Sequence, residues 1–223
     1  MMTSQTLSDW IAIALGHEPA VPTLFAQALT HGSHGEADYE RLEFLGDRVL
    51  GLAMADWLYT RFPNEAEGKL AHRLNSLVSR EICAEIGREI GVAAWLRLGR
   101  QALDDGVFES DNVLGDVVEA LIGALWIDGG LAASTRFIRD KWAERIDGQH
   151  QPPKHPKAAL QELAAAKNRK PPVYVITDRS GPDHRPRFSI RVSVNGLGEA
   201  EGAGSSRQEA ETVAARALLE KLV

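Results

Sequence analysis

From Asn112 to Asp128 the chain runs Asn-Val-Leu-Gly-Asp-Val-Val-Glu-Ala-Leu-Ile-Gly-Ala-Leu-Trp-Ile-Asp, and this stretch constrains the fold most. Its length and spacing predict a helix that is apolar nearly all round, so it belongs among other helices and not on a surface. Only Asp116 and Glu119 interrupt it, and three residues apart they share one face. Burying two unpaired carboxylates costs several kcal/mol, so they need cations or donors. The helix itself holds no Lys or Arg. A metal ion would serve, and so would salt bridges from Arg41 or Arg48.

A second stretch, Glu40-Arg41-Leu42-Glu43-Phe44-Leu45-Gly46-Asp47-Arg48-Val49-Leu50, repeats the theme. At about 100° per residue, Leu42, Leu45, Val49 and Ala53 share a face, and Glu40, Glu43 and Asp47 fall on a wedge roughly 60° wide beside it. Acids stacked at successive turns repel one another when ionised. Taken alone, the wedge is either a solvated acidic face or half of a binding site. The helix is expected from near Asp38 to Arg61, where Phe62-Pro63-Asn64 stops it.

The other segments supply the surroundings. Residues 4–15 read as an amphipathic helix through Leu7, Trp10, Ile11 and Ala14, and 23–29 as a second, after Pro19 and Pro22. His31 and His34 fall in a glycine-rich connection, where capping or solvent-facing roles are the simplest. Helices follow through Leu70, Leu74, Leu77 and Val78 and through Ile82, Ile86 and Ile90. Leu96–Arg100 and Asp104-Asp105-Gly106 look like loops. Gly129-Gly130 should close the apolar helix, with a last helix through Phe137, Ile138 and Trp142. Cys83 is the only cysteine, which excludes an intramolecular disulfide or a thiolate metal cluster. No signal-peptide pattern opens the chain and no uninterrupted apolar run reaches the roughly 18–20 residues of a bilayer span. A soluble, cytoplasmic protein without membrane partners is expected.

After residue 147 the pattern changes. Residues 148–155 are polar and proline-rich and read as a linker between a domain over 1–147 and another over 156–223. In the tail, a helix over 158–167 precedes a short apolar run at 173–177. Phe188, Ile190, Val192 and Val194 then alternate with polar residues at strand period, and a third strand over 197–202 follows the Asn195-Gly196 turn. A helix over 206–222 closes the chain, with Ala210, Val213, Ala214, Ala217 and Leu218 inward. The order α-β-β-β-α makes a small α+β domain after an all-α one. Charge follows the same division: the net charge of -6 splits into -10 over residues 1–150 and +4 over 151–223. A carboxylate-rich body joined to a basic module suits a polyanionic partner.

These residues resemble a known family. Glu40-Arg41-Leu42-Glu43-Phe44-Leu45-Gly46-Asp47 is similar to the signature of bacterial ribonuclease III. Glu67-Gly68, Leu77-Val78-Ser79 and Asp116-Val117-Val118-Glu119-Ala120-Leu121-Ile122-Gly123 follow in the family's order. Pro156-Lys157, Leu160-Gln161-Glu162 and Gly202-Ala203-Gly204-Ser205-Ser206-Arg207 resemble its double-stranded RNA-binding domain. The resemblance covers nearly the whole chain.

It implies an all-α endonuclease domain that forms a homodimer and cleaves double-stranded RNA with Mg²⁺, Mn²⁺ being able to substitute. Hydrolysis would leave 5′-phosphate and 3′-hydroxyl ends, and precursor ribosomal and other structured RNAs are the expected substrates. Carried over by position, Glu43, Asp47, Asp116 and Glu119 are the catalytic, metal-holding carboxylates. Glu40 and Glu67 match acidic positions near the RNA, and Phe44 matches the apolar residue that enters the partner subunit. In the tail, Gln161, Glu162, His184 and Arg207 match RNA contacts. Hard Mg²⁺ prefers such oxygen ligands, and A-form duplexes are read by shape through 2′-hydroxyls and phosphates over about 16 base pairs.

The chain departs from the family in places. Arg207 is followed by Gln208, Glu209 and Glu211 where further basic residues are usual, which predicts weaker and less salt-dependent duplex binding. Tyr39 stands in place of the usual Asn, and Leu74-Asn75-Ser76 in place of the usual residues before the Leu-Val-Ser motif. Two rivals to the nuclease are a duplex-sheltering binder and a helical phosphohydrolase acting on small molecules. The four retained acids argue against the first, and deleting residues 151–223 tests the second.

Overall fold

The computed structural model describes residues 6–35, 37–149, 156–181 and 186–222. The chain divides between residues 152 and 153 into two compact units. In the first, α1 (Leu7–Leu15) starts at a capping box: the Thr6 hydroxyl accepts from the Asp9 N–H at 3.2 Å while Asp9 takes the Thr6 N–H at 3.0 Å. Then come α2 (Pro22–Ala28), α3 (Glu40–Arg61), α4 (Glu67–Leu77), α5 (Arg80–Glu89), α6 (Arg100–Asp104) and α7 (Asp111–Asp147).

The apolar helix is the centre of this unit. Val113, Leu114, Val117, Val118 and residues 120–125 of α7 are all buried, with α3 and α5 packed along it and α2 against it. By length and composition alone α7 would suit a membrane span, but its apolar half is covered by protein. From α3 the core takes Leu42, Val49, Leu50, Ala53, Met54 and Leu58. Leu45, expected on the same stripe, is only partly buried.

One expectation needs correction. Leu96–Arg100 and Asp104-Asp105-Gly106, read as loops, give up Arg100 and Asp104 to the ends of the short helix α6; ahead of it the Arg97 N–H donates to Leu29 O at 2.8 Å and Arg97 O accepts from His31 N at 3.0 Å. At Gly129-Gly130 the apolar helix closes as expected: Gly130 takes the non-helical φ 69°, ψ -170°, and beyond this kink the second part of α7 runs on to Asp147. This is a backbone state open to glycine and costly for other residues.

Arg73, Trp142 and Trp10 carry polar groups into the core and find partners there. Arg73 is 1% exposed. It donates to both Glu65 oxygens at 2.8 and 2.7 Å and to Gln149 O at 2.7 Å, with its guanidinium 3.8 Å from the Phe62 ring centroid. Gln149, read as linker, is thereby held on the first unit. The Trp142 indole donates to Leu77 O at 2.7 Å, and Trp10 to Ile90 O at 2.9 Å.

The second unit comprises α8 (Pro156–Ala166), β1 (Val173–Ser180), β2 (Arg187–Val194), β3 (Gly198–Gly204) and α9 (Arg207–Leu222). The three strands form one antiparallel sheet in the order β1-β2-β3, with Tyr174 opposite Val192 and Val192 opposite Ala200. Ile190, Val192 and Val194 are buried on the helix side while Arg191 faces out. Leu160, Ala164, Ala214, Ala215 and Leu218 complete the core. On α9 the buried stripe is Ala210, Glu211, Ala214, Ala215 and Leu218, so Val213, expected inward, is exposed and Glu211 takes an inward place. An alanine-rich helix leaves the centre of its apolar face weakly marked, and contact with the sheet decides it.

Candidate active site

The site is built where α3 crosses α7. A Cβ on Gly46 would collide with the Glu119 carbonyl and lie 2.9 Å from Gly123 N; one on Gly123 would collide with the Leu42 carbonyl and lie 3.2 Å from Gly46 N. The two backbones therefore touch with no side chain between them. Glu43 and Asp47 flank Gly46 on one helix, and Asp116 and Glu119 lie within two turns before Gly123 on the other. Backbone contact brings the two pairs together.

Their electrostatics reflect that closeness. Glu119 is pushed up to about 8, first by burial and then by Asp47, Glu43 and Asp116. Glu43 is raised by burial, then by Asp116, Glu40 and Asp47. Burial also raises Asp116, against the pull of Arg80 and a bond from Tyr39. The Tyr39 hydroxyl donates to Asp116 Oδ2 at 3.5 Å, and burial, followed by Asp116, Glu43 and Glu40, pushes its own ionisation far up. Asp47 is paired with Arg48. Arg80 opens α5 with its stem against Gly115, next to Asp116, and its charge acts on Glu43, Asp116 and Glu119.

Glu43, Asp47, Asp116 and Glu119 come together at one crossing, and Arg48, considered as a salt-bridge partner for Asp116 or Glu119, is paired instead with Asp47 on its own helix. Among the described residues no three acids, histidines or cysteines stand close enough to hold an ion as their side chains now lie. Asp47 is turned to Arg48 and Asp116 to Tyr39. The donor set nonetheless fits a hard divalent cation: four carboxylates that raise one another's proton affinity gain from a shared positive charge. Glu40 is exposed at the start of α3 and close enough to act on Glu43. Glu67 opens α4 and is exposed. Phe44 is 68% exposed, with the Arg48 guanidinium 5.5 Å from its ring centroid, and it borders a hollow lined also by Leu24, Gln27, Leu45 and Ile127.

In the second unit Gln161 and Glu162 are exposed on α8. Arg207 opens α9, but its Nε donates to Glu211 Oε1 at 2.8 Å. His184 lies outside the described residues. Sequence reasoning missed the structural use of Gly46 and Gly123, Tyr39 as a partner of Asp116, and Arg80. A signal existed for the glycines: each costs about 1 kcal/mol inside a helix, so a pair beside two acid pairs implies close approach.

A helical body with acids converging at one crossing, followed by an α-β-β-β-α unit, has the architecture of a nuclease domain joined to a double-stranded RNA-binding domain. Residues 22–146 match the family described as Ribonuclease-III-like and residues 156–222 the double-stranded RNA binding motif. A Ribonuclease 3 of Zymomonas mobilis is 58% identical over 222 residues, covering 100% of this chain and 90% of that protein. One of Caulobacter vibrioides is 46% identical over 214 residues, covering 93% and 92%. The nuclease domain of ribonuclease III from Campylobacter jejuni has a TM-score of 0.58 at 29% identity, covering 60% of this chain and 98% of that domain. The chain belongs to the ribonuclease III family.

Proposed function

We propose that this protein is an endoribonuclease that hydrolyses double-stranded RNA with Mg²⁺, or Mn²⁺ in its place, leaving 5′-phosphate and 3′-hydroxyl ends. The observation that carries the proposal is the meeting of Glu43 and Asp47 with Asp116 and Glu119 at the α3–α7 crossing, in a chain that also holds a double-stranded RNA binding motif. Glu43, Asp47, Asp116 and Glu119 would hold the metal. When bound, it supplies a Lewis acid for the phosphoryl oxygens and a water of lowered pKa. Arg80 supplies a fixed positive charge beside the acids, and Tyr39 fixes Asp116. Glu40 and Glu67 sit on the RNA side, and Gln161, Glu162, His184 and Arg207 contact the duplex. Precursor ribosomal RNA and other structured transcripts in the cytoplasm are its substrates in this proposal.

A homodimer is part of it. An exposed Phe44 beside a hollow on the same surface is self-complementary, since a two-fold axis would place each Phe44 against the other protomer's hollow. The deciding experiment incubates the full chain with a long RNA duplex and with single-stranded RNA, in Mg²⁺ and in chelator. Cleavage of the duplex alone, dependent on Mg²⁺ and abolished in Glu119→Gln with binding retained, is expected. A gel shift without cleavage in either Mg²⁺ or Mn²⁺ would leave only a duplex-binding protein.

A further inference from the structure

Glu211 is the one acid buried in the second unit among the described residues, 8% exposed, and both of its oxygens are engaged. Oε2 accepts from Lys157 Nζ at 2.5 Å and Oε1 from Arg207 Nε at 2.8 Å. Lys157 is the second residue of α8, and its ammonium also lies 5.2 Å from the ring centroid of Tyr174 on β1. Arg207 is the first residue of α9, its side chain 65% exposed. One carboxylate thus joins the first turns of two helices and a strand. The Lys157 bond, against the effect of burial and helped by Arg207, holds Glu211 below the usual range and therefore ionised. By sequence Glu211 weakens a basic cluster. Its position in the fold gives it a different task.

We propose that Glu211 is a positioning residue for duplex RNA: it locks the first turns of α8 and α9 together and aims Arg207 outward. This rests on the RNA-binding role proposed for the second unit. A guanidinium that gives Nε–H to Glu211 keeps its two terminal nitrogens for a phosphate. Gln161 and Glu162 lie one turn further along α8, so the same lock sets their spacing from Arg207. An A-form duplex presents grooves and phosphates at fixed separations, and a reader of shape needs its contacts held at that spacing.

Charge alone predicts the opposite sign. Removing an acid from a surface that meets a polyanion should tighten binding and steepen its salt dependence. The test uses the full chain and a short RNA duplex, in chelator so that nothing is cut, with affinity measured across a salt series. Glu211→Gln should weaken binding about tenfold, the scale of one lost charge-assisted hydrogen bond. Arg207→Lys keeps the charge at an exposed site that tolerates substitution, so it decides the matter even where Glu211→Gln misfolds. A lysine has one ammonium for either Glu211 or a phosphate, so binding should weaken and the log–log salt slope should fall by about one. Equal or tighter binding by a folded Glu211→Gln chain, or unchanged affinity and slope in Arg207→Lys, overturns the proposal. A wild-type chain that binds no duplex overturns it together with the proposed substrate. Wild-type binding without cleavage in Mg²⁺ counts only against the nuclease reading, and the affinity comparisons still decide the role of Glu211.

Discussion

At the scale of single residues, Glu119 is the most informative group. Its carboxyl is raised to about 8 by burial and by three neighbouring acids. The sign of the consequence is fixed: below the ordinary glutamate range both folded and unfolded chains hold the proton, while between about 4.5 and 8 the folded chain holds it more tightly. In chelator, stability should therefore fall as pH rises through that window, and Glu119→Gln should flatten the profile. Thermal melts between pH 5 and 9 check this, and a wild-type melting temperature that climbs steadily over the same range would contradict the assignment. Tyr39 makes a second point at this scale. Its identity is visible in the sequence as a departure from the family, but its use is not, because only the fold places its hydroxyl 3.5 Å from Asp116, 77 residues away.

At the scale of elements, the α3–α7 contact is decisive. Alanine normally stabilises a helix relative to glycine by about 1 kcal/mol. At Gly46 and Gly123 the added methyl meets carbonyl backbone that has no rotamer to yield. Gly46→Ala and Gly123→Ala should each cost at least about 3 kcal/mol in urea unfolding, the upper range of overpacking, and should lower cleavage further by spreading the acids. Gly68→Ala, with open space around it, should stay within about 0.5 kcal/mol of wild type. Helical spacing of apolar residues made α3 and α5 legible in the sequence, and the length of its nearly unbroken apolar run did the same for the first half of α7. The short helix α6 was not legible, because its five residues are too few to show a helical period. The inward face of α9 was misjudged at Val213, where alanines mark the stripe too faintly. Of the candidate site, type and spacing marked two acidic clusters, the resemblance singled out four acids among them, and the contact that unites the two helices needed the fold.

At the scale of the whole molecule, two predictions follow from exposure and charge. Phe44→Glu puts a charge into the dimer contact proposed for this face, so the variant should sediment as a monomer and lose most cleavage. A dimer undisturbed by the change would place the seam elsewhere. Removing residues 151–223 takes away the basic part of the chain, net +4. The remaining body should cut duplex poorly at physiological salt and recover in part at low salt, where weaker screening favours its remaining phosphate contacts. Activity indifferent to the deletion would favour a small-molecule phosphohydrolase.

The glycine crossing also bears on how this protein can change over time. Side chains that separate two helices act as adjustable spacers, and each core substitution resets the gap. Here the spacer has zero length: backbone rests on backbone. Drift among the surrounding leucines, isoleucines and valines should alter how long the enzyme survives heat while leaving its turnover nearly constant. Robustness of the chemistry is thus delegated to the two residues that have no side chain to mutate away.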